Sequence, residues 1–183
     1  YAKDDLIGNP ALGIVDALKP KVEKIGWVSK DKITVFYCEV YGGKITQASK
    51  QYTGEKKVGY RLFDIVEIPD YDSLLEKPIF EISKWRDHNG QSFVDESQLQ
   101  EIAKDYRFEL TPRVIECLSD EFPKKIEDTL MFLKKTLSKS LCLLDETGRG
   151  QPEGLVVRTL DRSQIAKLRF QDYERTLKRR KSK

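Results

Sequence analysis

Several residue types are scarce in this chain of 183 residues, which has three cysteines, one histidine and one methionine. The cysteines, Cys38, Cys117 and Cys142, lie far apart, and no CxxC or HxxxH spacing occurs. A disulfide framework and a zinc site are therefore not expected. The sequence predicts a reduced, intracellular protein of the cytoplasm.

The single histidine restricts the catalytic mechanisms that are open to the chain. A Ser-His-Asp hydrolase could use only His88. That residue stands in the polar segment Asp87-His88-Asn89-Gly90, which is typical of a surface turn. Hydrolase chemistry is disfavoured, and we predict that His88 lies on the surface.

Long apolar runs are also missing. The longest, such as residues 33–36 and 141–144, are far shorter than the roughly 20 residues of a membrane-spanning helix. The first eight residues have neither the basic nor the apolar region of a signal peptide. We therefore expect no membrane partner. Because the chain does not begin with methionine, we also expect that it lacks an N-terminal stretch.

Neither sign of charge is in large excess, since the net charge is only +3. With 39% hydrophobic and 34% charged residues, the composition is that of a folded globular protein. Basic residues cluster instead at the C-terminus: Lys178, Arg179, Arg180, Lys181 and Lys183. Such a tail suits a phosphate backbone, and it is equally typical of a solvated helix end.

The hydrophobic pattern predicts a mixed fold. Helices are predicted over residues 11–25, 95–106, 123–137 and 171–180. Strands are predicted over residues 32–41, 60–68, 78–85, 155–160 and 164–170. The order of one helix, three strands, two helices, two strands and a helix indicates an α+β fold of mostly antiparallel sheets with flanking helices.

The strongest chemical signal lies in the last two predicted strands. Glu153 and Gly154 open the first, and the second contains Lys167 and Arg169. Lys167 and Arg169 are two residues apart, so in a strand they point to the same face. Neighbouring cations suit an anion such as a polyphosphate, and a nearby carboxylate can hold a divalent ion against the same phosphates.

Two upstream segments supply matching parts. Residues 37–43 place Glu39 in an otherwise apolar strand that ends in paired glycines, and residues 61–66 place Phe63 and Asp64 in a second strand. Taken singly, each motif has an ordinary interpretation: a surface glutamate for Glu39, a core aromatic for Phe63 and a turn for Glu153 with Gly154. The four motifs in order are more informative.

In this order, the four segments resemble motifs III, IIIa, IV and V of the covalent nucleotidyltransferases, which comprise RNA ligases, DNA ligases and mRNA capping enzymes. Residues 82–85, 93–103 and 167–175 resemble the ligases similar to phage RNA ligase 2. The resemblance covers nearly the whole chain. It implies that residues 1–183 form a nucleotidyltransferase (ATP-grasp-like ligase) domain, truncated at its N-terminus.

The resemblance also implies a role for each matching residue. Glu39 would contact the ribose hydroxyls of ATP, and Phe63 would stack on the adenine. Glu153 would help to organise a magnesium or manganese ion, and Lys167 and Arg169 would hold the ATP phosphates. The last three are therefore the expected catalytic residues of the chain.

The nucleophilic lysine of the family lies in a Lys-x-x-Gly motif upstream of motif III, and no such motif precedes Glu39. Residues 56–59 fit the bare pattern, but they directly precede the strand of Phe63, so we interpret the match as fortuitous. Lys3 resembles the basic residue of the strand that follows motif I. We expect that the nucleophile is absent from these 183 residues and that the chain alone forms no lysyl-adenylate.

The resemblance thus implies an ATP-dependent RNA ligase that joins 5′-phosphate and 3′-hydroxyl RNA ends. Lysine attacks the α-phosphate of ATP, AMP moves to the RNA 5′-phosphate, and the 3′-hydroxyl displaces AMP. An appended domain stays open. The alternatives are a DNA ligase, a capping enzyme that uses GTP, and a noncatalytic RNA-binding domain that kept the fold and binds RNA through its basic tail.

Overall fold

The computed structural model describes residues 8–25, 31–88 and 90–181, with only the backbone of Lys181. Lys3 lies outside the described residues. Within them, six α-helices form: α1 (Ile14–Ile25), α2 (Tyr71–Leu75), α3 (Ile79–Asp87), α4 (Glu96–Asp105), α5 (Ile126–Thr136) and α6 (Phe170–Lys181). Two short 3-10 helices cover Pro10–Leu12 and Gln47–Gln51.

Five strands form two sheets among these residues. The strands are β1 (Lys32–Gly42), β2 (Val58–Pro69), β3 (Ser92–Phe93), β4 (Gly154–Arg158) and β5 (Ile165–Arg169). The first sheet has the order β1-β2-β3, with β2 and β3 antiparallel, and the second is the antiparallel pair of β4 and β5. The predicted α+β class with antiparallel sheets and flanking helices is confirmed.

The chain divides into two compact units. The first unit comprises Tyr1–Val40, Gly59–Leu110 and Leu160–Arg162, and the second comprises Tyr41–Val58, Thr111–Thr159 and Ser163–Lys183. In the first unit, the buried core consists of Leu62, Ile65, Val94, Leu99, Ala103 and Phe108. In the second, α5 buries Leu130 and Leu133, three residues apart on one helix face.

Strand β1 covers the core of the first unit with one face only. Phe36 and Cys38 pack against the buried cluster. Successive side chains of a strand point to opposite faces, so Tyr37 and Glu39 point away from that cluster. Burial also raises the pKa of the Cys38 thiol to about 11, so this cysteine is a protonated, inert group at neutral pH.

Helix α4 begins at a recognisable N-terminal cap. The side chain of Asp95 accepts a hydrogen bond from the backbone N–H of Gln98, and the Gln98 side chain returns to the backbone of Asp95 as a capping box. The buried residues Leu99 and Ala103 are one helical turn apart and face the core. The predicted helix over residues 95–106 is confirmed.

The predicted strand over residues 78–85 is wrong, because α3 occupies these positions. Pro78 is the N-cap, and Ile82 and Trp85 are half-buried at a helical spacing of three. Ile79 is 87% exposed and Phe80 is 59% exposed, so the four apolar residues do not all mark one buried face. The third strand is instead β3, of only two residues, which follows α3.

Candidate functional site

The β4–β5 hairpin sets which side chains share a face in the second unit. Its register pairs Gly154 with Arg169, Val156 with Lys167, and Arg158 with Ile165. Directly opposed residues lie on the same face of an antiparallel pair. The predicted pair, Lys167 and Arg169, therefore shares a face with Gly154 and Val156.

Gly154 occupies a position that only glycine can fill. Its φ is 153°, and a Cβ atom there would lie 1.9 Å from the carbonyl oxygen of Leu168 and 2.8 Å from Cα of Arg169. The close approach holds Glu153 against the end of β5, where the N–H of Phe170 donates to the Glu153 carbonyl at 3.1 Å. The glycine that follows Glu153 is thus explained by the close packing of the two strand backbones.

The structure brings Glu153 and Lys167 together. Lys167 Nζ lies 3.9 Å from Glu153 Oε2, and both side chains are more than half exposed. Exposure keeps both groups accessible to a ligand, and an ion pair of this kind contributes little to stability. The pair is therefore of interest as a surface position where a ligand could bind, and not as a source of stability.

Arg169 is held by Asp172, a residue to which the sequence motifs assign no role. Its Nε donates to Asp172 Oδ2 at 2.7 Å, and Arg175 Nη2 donates to the other oxygen of Asp172 at 2.9 Å. Each arginine is three residues away from Asp172, a spacing that is visible in the sequence. Asp172 therefore orients the guanidinium of Arg169 beside the hairpin.

Arg158 is a second residue to which the sequence motifs assign no role. Residues 154, 156 and 158 of β4 alternate onto one face, so Arg158 lies on the face of Lys167 and Arg169. Three cations thus line this face, which we call the cationic face. The antiparallel register was the missing signal, because spacing within one strand does not reveal it.

In the first unit, Phe63 belongs to an aromatic row on the sheet face opposite the core. Its ring centroid is 6.0 Å from that of Tyr37, which lies 6.2 Å from that of Phe93. Leu62, the neighbour of Phe63, is fully buried in the core cluster, whereas Phe63 is half-buried outside it. Glu39 is exposed and shares the face of Tyr37, so Glu39 and Phe63 lie on one sheet face.

Asp64, next to Phe63, is buried and serves a different contact. Its Oδ1 lies 3.2 Å from Nε of Arg162, whose Nη2 is 2.7 Å from Glu96 Oε2. The Arg162 side chain is only 4% exposed. Asp64 is thus part of a buried ion-pair triad with Arg162 and Glu96. The ion pair explains why an acidic residue occurs in this apolar strand, and no ligand is needed for that explanation.

Comparison with known proteins identifies the family. A family model described as RNA ligase matches residues 8–178, nearly the whole chain. The chain belongs to the RNA ligase family. No curated protein and no solved structure matches it. The α+β architecture is compatible with the nucleotidyltransferase-like domain of such ligases, and the resemblance to those similar to phage RNA ligase 2 is consistent with the match.

The five predicted site residues that lie in the described part of the chain fall in two groups. Glu39 and Phe63 belong to the first unit, and Glu153, Lys167 and Arg169 belong to the second. His88 is exposed, as predicted, and its Nδ1 lies 2.7 Å from the carbonyl oxygen of Lys84. No helix among the described residues is long and apolar enough to cross a membrane.

Glu153 is a single carboxylate, so a divalent ion bound there would need further ligands, such as phosphate oxygens. Among the described residues, no group of three or more histidine, cysteine, aspartate or glutamate side chains gathers. Magnesium is usually held by one or two carboxylates together with substrate phosphates and water. Glu153 can supply one such carboxylate, and the cations beside it suit the phosphates.

The Lys-x-x-Gly match at residues 56–59 overlaps the start of β2, which begins at Val58. Lys56 has a φ of 60°, in the left-handed region. Lys57 Nζ is 2.6 Å from Glu55 Oε2, and the hydrogen bond to Glu55 raises the pKa of Lys57. The lysine of the match is Lys56, so the ion pair of Lys57 belongs to its neighbour in the sequence.

Proposed function

We propose that this RNA ligase uses ATP to join RNA 5′-phosphate and 3′-hydroxyl ends through lysyl-AMP and RNA-adenylate intermediates. The observation that carries the proposal is the cationic face, where Glu153 Oε2 lies 3.9 Å from Lys167 Nζ and Arg169 is oriented by Asp172. Family membership supplies the RNA substrate and the ligase reaction.

In the first step, a lysine nitrogen attacks the α-phosphorus of ATP. A nitrogen–phosphorus bond forms, the bond between the α-phosphorus and its bridging oxygen breaks, and pyrophosphate leaves. Negative charge grows on the departing oxygens, and cations fixed beforehand stabilise that charge most. Lys167 and Arg169 take this role in our proposal, and Glu153 would hold a magnesium or manganese ion, which would supply further positive charge beside the same phosphates.

The adenosine has its own contacts in this proposal. Phe63 stacks on the adenine, because an aromatic face outside the core offers a flat apolar surface. Glu39, on the same sheet face, accepts hydrogen bonds from the ribose hydroxyls. The contact between Tyr37 and Phe63 supports this role, since it limits the orientations that the Phe63 ring can adopt.

The nucleophile needs a position close to the α-phosphate, because correct placement supplies much of the rate. We propose that it belongs to a Lys-x-x-Gly motif outside these 183 residues. When the chain is incubated with magnesium and ATP, mass spectrometry should detect no added AMP. An adduct on Lys56, or on any other lysine of this chain, would contradict this assignment.

The adenine contact is tested by equilibrium binding of a fluorescent ATP analogue. Phe63→Ala should weaken binding by about 1–3 kcal/mol, or roughly 5- to 150-fold, by the precedent of bases stacked on aromatic side chains. The matched control is Phe80→Ala, which removes an equally large ring that is 59% exposed on α3. Equal affinities of the two variants, with unchanged melting temperatures, would exclude the stacking role.

The same binding measurement separates the proposed ligase from the alternatives. Lys167→Gln should weaken ATP binding, because it removes a phosphate contact while keeping a side chain of similar length. Competition by GTP as effective as that by ATP would favour a capping-type enzyme. A chain that binds RNA and ignores both nucleotides would favour a noncatalytic RNA-binding domain.

A further inference from the structure

The first unit has a pocket that no role above uses. It lies between the C-terminal half of α1 and the C-terminal end of α4, and its volume is about 420 Å³. Its polar and aromatic lining consists of Lys21, Lys24, Tyr60, Asp105, Tyr106 and Arg107. We call it the basic pocket.

The basic pocket has an excess of positive charge. Three of its lining side chains are cations, Lys21, Lys24 and Arg107, whereas Asp105 is the single carboxylate. Lys21 is fixed in place: its Nζ donates to the carbonyl oxygen of Arg107 and lies 4.8 Å from the centre of the Phe108 ring. Cations held close together repel each other, and a bound anion relieves that repulsion.

The pKa of Lys21 is lowered, as expected for an amine that is partly buried and close to other positive charges. Burial is the first cause that lowers the pKa of the Lys21 amine, followed by the neighbouring charges of Lys24 and Arg107. Both causes disfavour the charged form of Lys21 in the absence of a ligand. An anion in the pocket would act on the Lys21 amine in the opposite direction.

Arg107 is an unusual residue for its backbone position. The N–H of Phe108 donates to the carbonyl of Ala103 at 2.7 Å, and that of Arg107 donates to Lys104 at 3.1 Å. These two bonds are those of a Schellman motif at the end of α4, and they place Arg107 at the C′ position with φ 54°. Glycine is the usual residue there, because it adopts a positive φ without steric cost.

The fold alone therefore does not favour an arginine at position 107. A cation near the end of a helix interacts well with the helix dipole, but Lys104 in the last turn of α4 already supplies one. The strained backbone of Arg107 is better explained by its side chain, which lines the basic pocket. Here the positive φ coincides with a side chain that lines a pocket, which together motivate a functional hypothesis.

Two tyrosines complete the pocket. Tyr60 packs edge-on against Phe108, with ring centroids 6.3 Å apart, and Tyr106 packs edge-on against Phe36 at 6.1 Å. Both rings are anchored on the core side, so their exposed parts are held in defined positions at the pocket. Rings beside cations are the combination with which proteins bind single-stranded nucleic acid without reading its sequence.

We propose that the basic pocket binds the phosphodiester backbone of the RNA strand, with Lys24 and Arg107 contacting phosphates and Tyr60 or Tyr106 stacking on a base. The inference rests on the proposed function, which supplies an RNA strand as substrate. It adds an RNA contact away from the residues assigned to ATP. The pocket provides affinity, not sequence preference, because its contacts are to phosphate and to base faces.

The test measures the affinity for a fluorescein-labelled single-stranded RNA with a 5′-phosphate, by anisotropy at 50–200 mM salt. Arg107→Gly removes a cation and places glycine where the backbone favours it. Lys24→Gln removes a cation from an exposed position of α1. Each variant should bind RNA about fivefold more weakly at 0.1 M salt, and the slope of log K against log salt should fall by about 0.7 per removed contact.

The control variant is Lys19→Gln. Lys19 is on the same helix as Lys24, but it pairs with Glu23 at 3.8 Å and does not line the pocket. This substitution makes the same change of net charge, so it corrects for non-specific attraction. The proposal is overturned if all three variants bind RNA equally.

Nucleotide binding separates this inference from the proposed function. Arg107→Gly and Lys24→Gln should bind ATP with the wild-type affinity, whereas Phe63→Ala should lose ATP affinity. Pocket variants that lose ATP and keep RNA would overturn the basic pocket as an RNA contact. Pocket variants that lose RNA, in a protein where Phe63→Ala leaves ATP affinity unchanged, would support the basic pocket and refute the adenine contact. The melting temperature of Arg107→Gly should equal or exceed that of the wild type.

Discussion

Among single residues, Arg162 carries a positive charge that is buried in the first unit. Its guanidinium lies within 3.2 Å of Asp64 Oδ1 and 2.7 Å of Glu96 Oε2, and the three side chains are 4%, 10% and 15% exposed. Arg162 also has a φ of 64°. Charges so far removed from water depend on one another, since solvent does not replace a lost partner.

Replacing Arg162 with leucine should therefore be strongly destabilising. Arg162→Leu leaves two carboxylates in the protein interior without this countercharge, and we expect the free energy of unfolding to fall by about 3–5 kcal/mol. Arg86→Leu is the matched control, because Arg86 is 59% exposed beside Asp87, and it should cost at most about 1 kcal/mol. Urea denaturation of both variants decides the matter, and similar losses would contradict the prediction.

Among the loops, residues 53–54 and 145–147 of the second unit are joined through one carboxylate. Asp145 accepts hydrogen bonds from the hydroxyls of Thr53 and Thr147 and from the backbone N–H groups of Gly54 at 3.3 Å and Thr147 at 3.0 Å. The Thr147 hydroxyl is the largest cause that lowers the pKa of Asp145 well below its usual 3.8, followed by that of Thr53. The carboxylate form thus holds two distant segments together.

This loop contact should make stability depend on acid. The folded pKa of Asp145 is depressed, so its contribution is present above about pH 3.8 and is lost as the pH falls below that value. Urea midpoints measured from pH 7 to pH 2 should fall more steeply for the wild type than for Asp145→Asn. Glu146→Gln, a change of the neighbouring exposed carboxylate, should follow the wild type. Parallel curves for wild type and Asp145→Asn would refute the assignment.

The helices and strands show what the sequence could and could not predict. Residues 95–106 formed the predicted helix because Asp95 caps it and Leu99 and Ala103 recur at one turn. Residues 78–85 did not form the predicted strand, since Ile79 and Phe80 are exposed and carry no information about a buried face. Strand β3 escaped prediction because two residues are too few to show alternation.

For the whole molecule, the order of the motifs predicted the family, but it did not predict all residues that lie beside the candidate sites. Glu153, Lys167 and Arg169 could be predicted as site residues because each lies within a short recognisable segment. Arg158 could not, because its place on the cationic face depends on the register between two strands. Arg107 could not either, since its signal is a backbone angle in a helix cap. Spacing along the chain reveals local faces, whereas contacts between segments require the fold.

The buried triad around Arg162 has a practical consequence for handling the protein. Dissolved ions screen charges at the surface, over about 3 Å at 1 M salt, but they do not enter a site whose cation is 4% exposed. Concentrated salt therefore leaves this internal contact intact while it releases polyanions from exposed lysines and arginines. We therefore expect that a wash in concentrated salt removes bound nucleic acid while the protein stays folded.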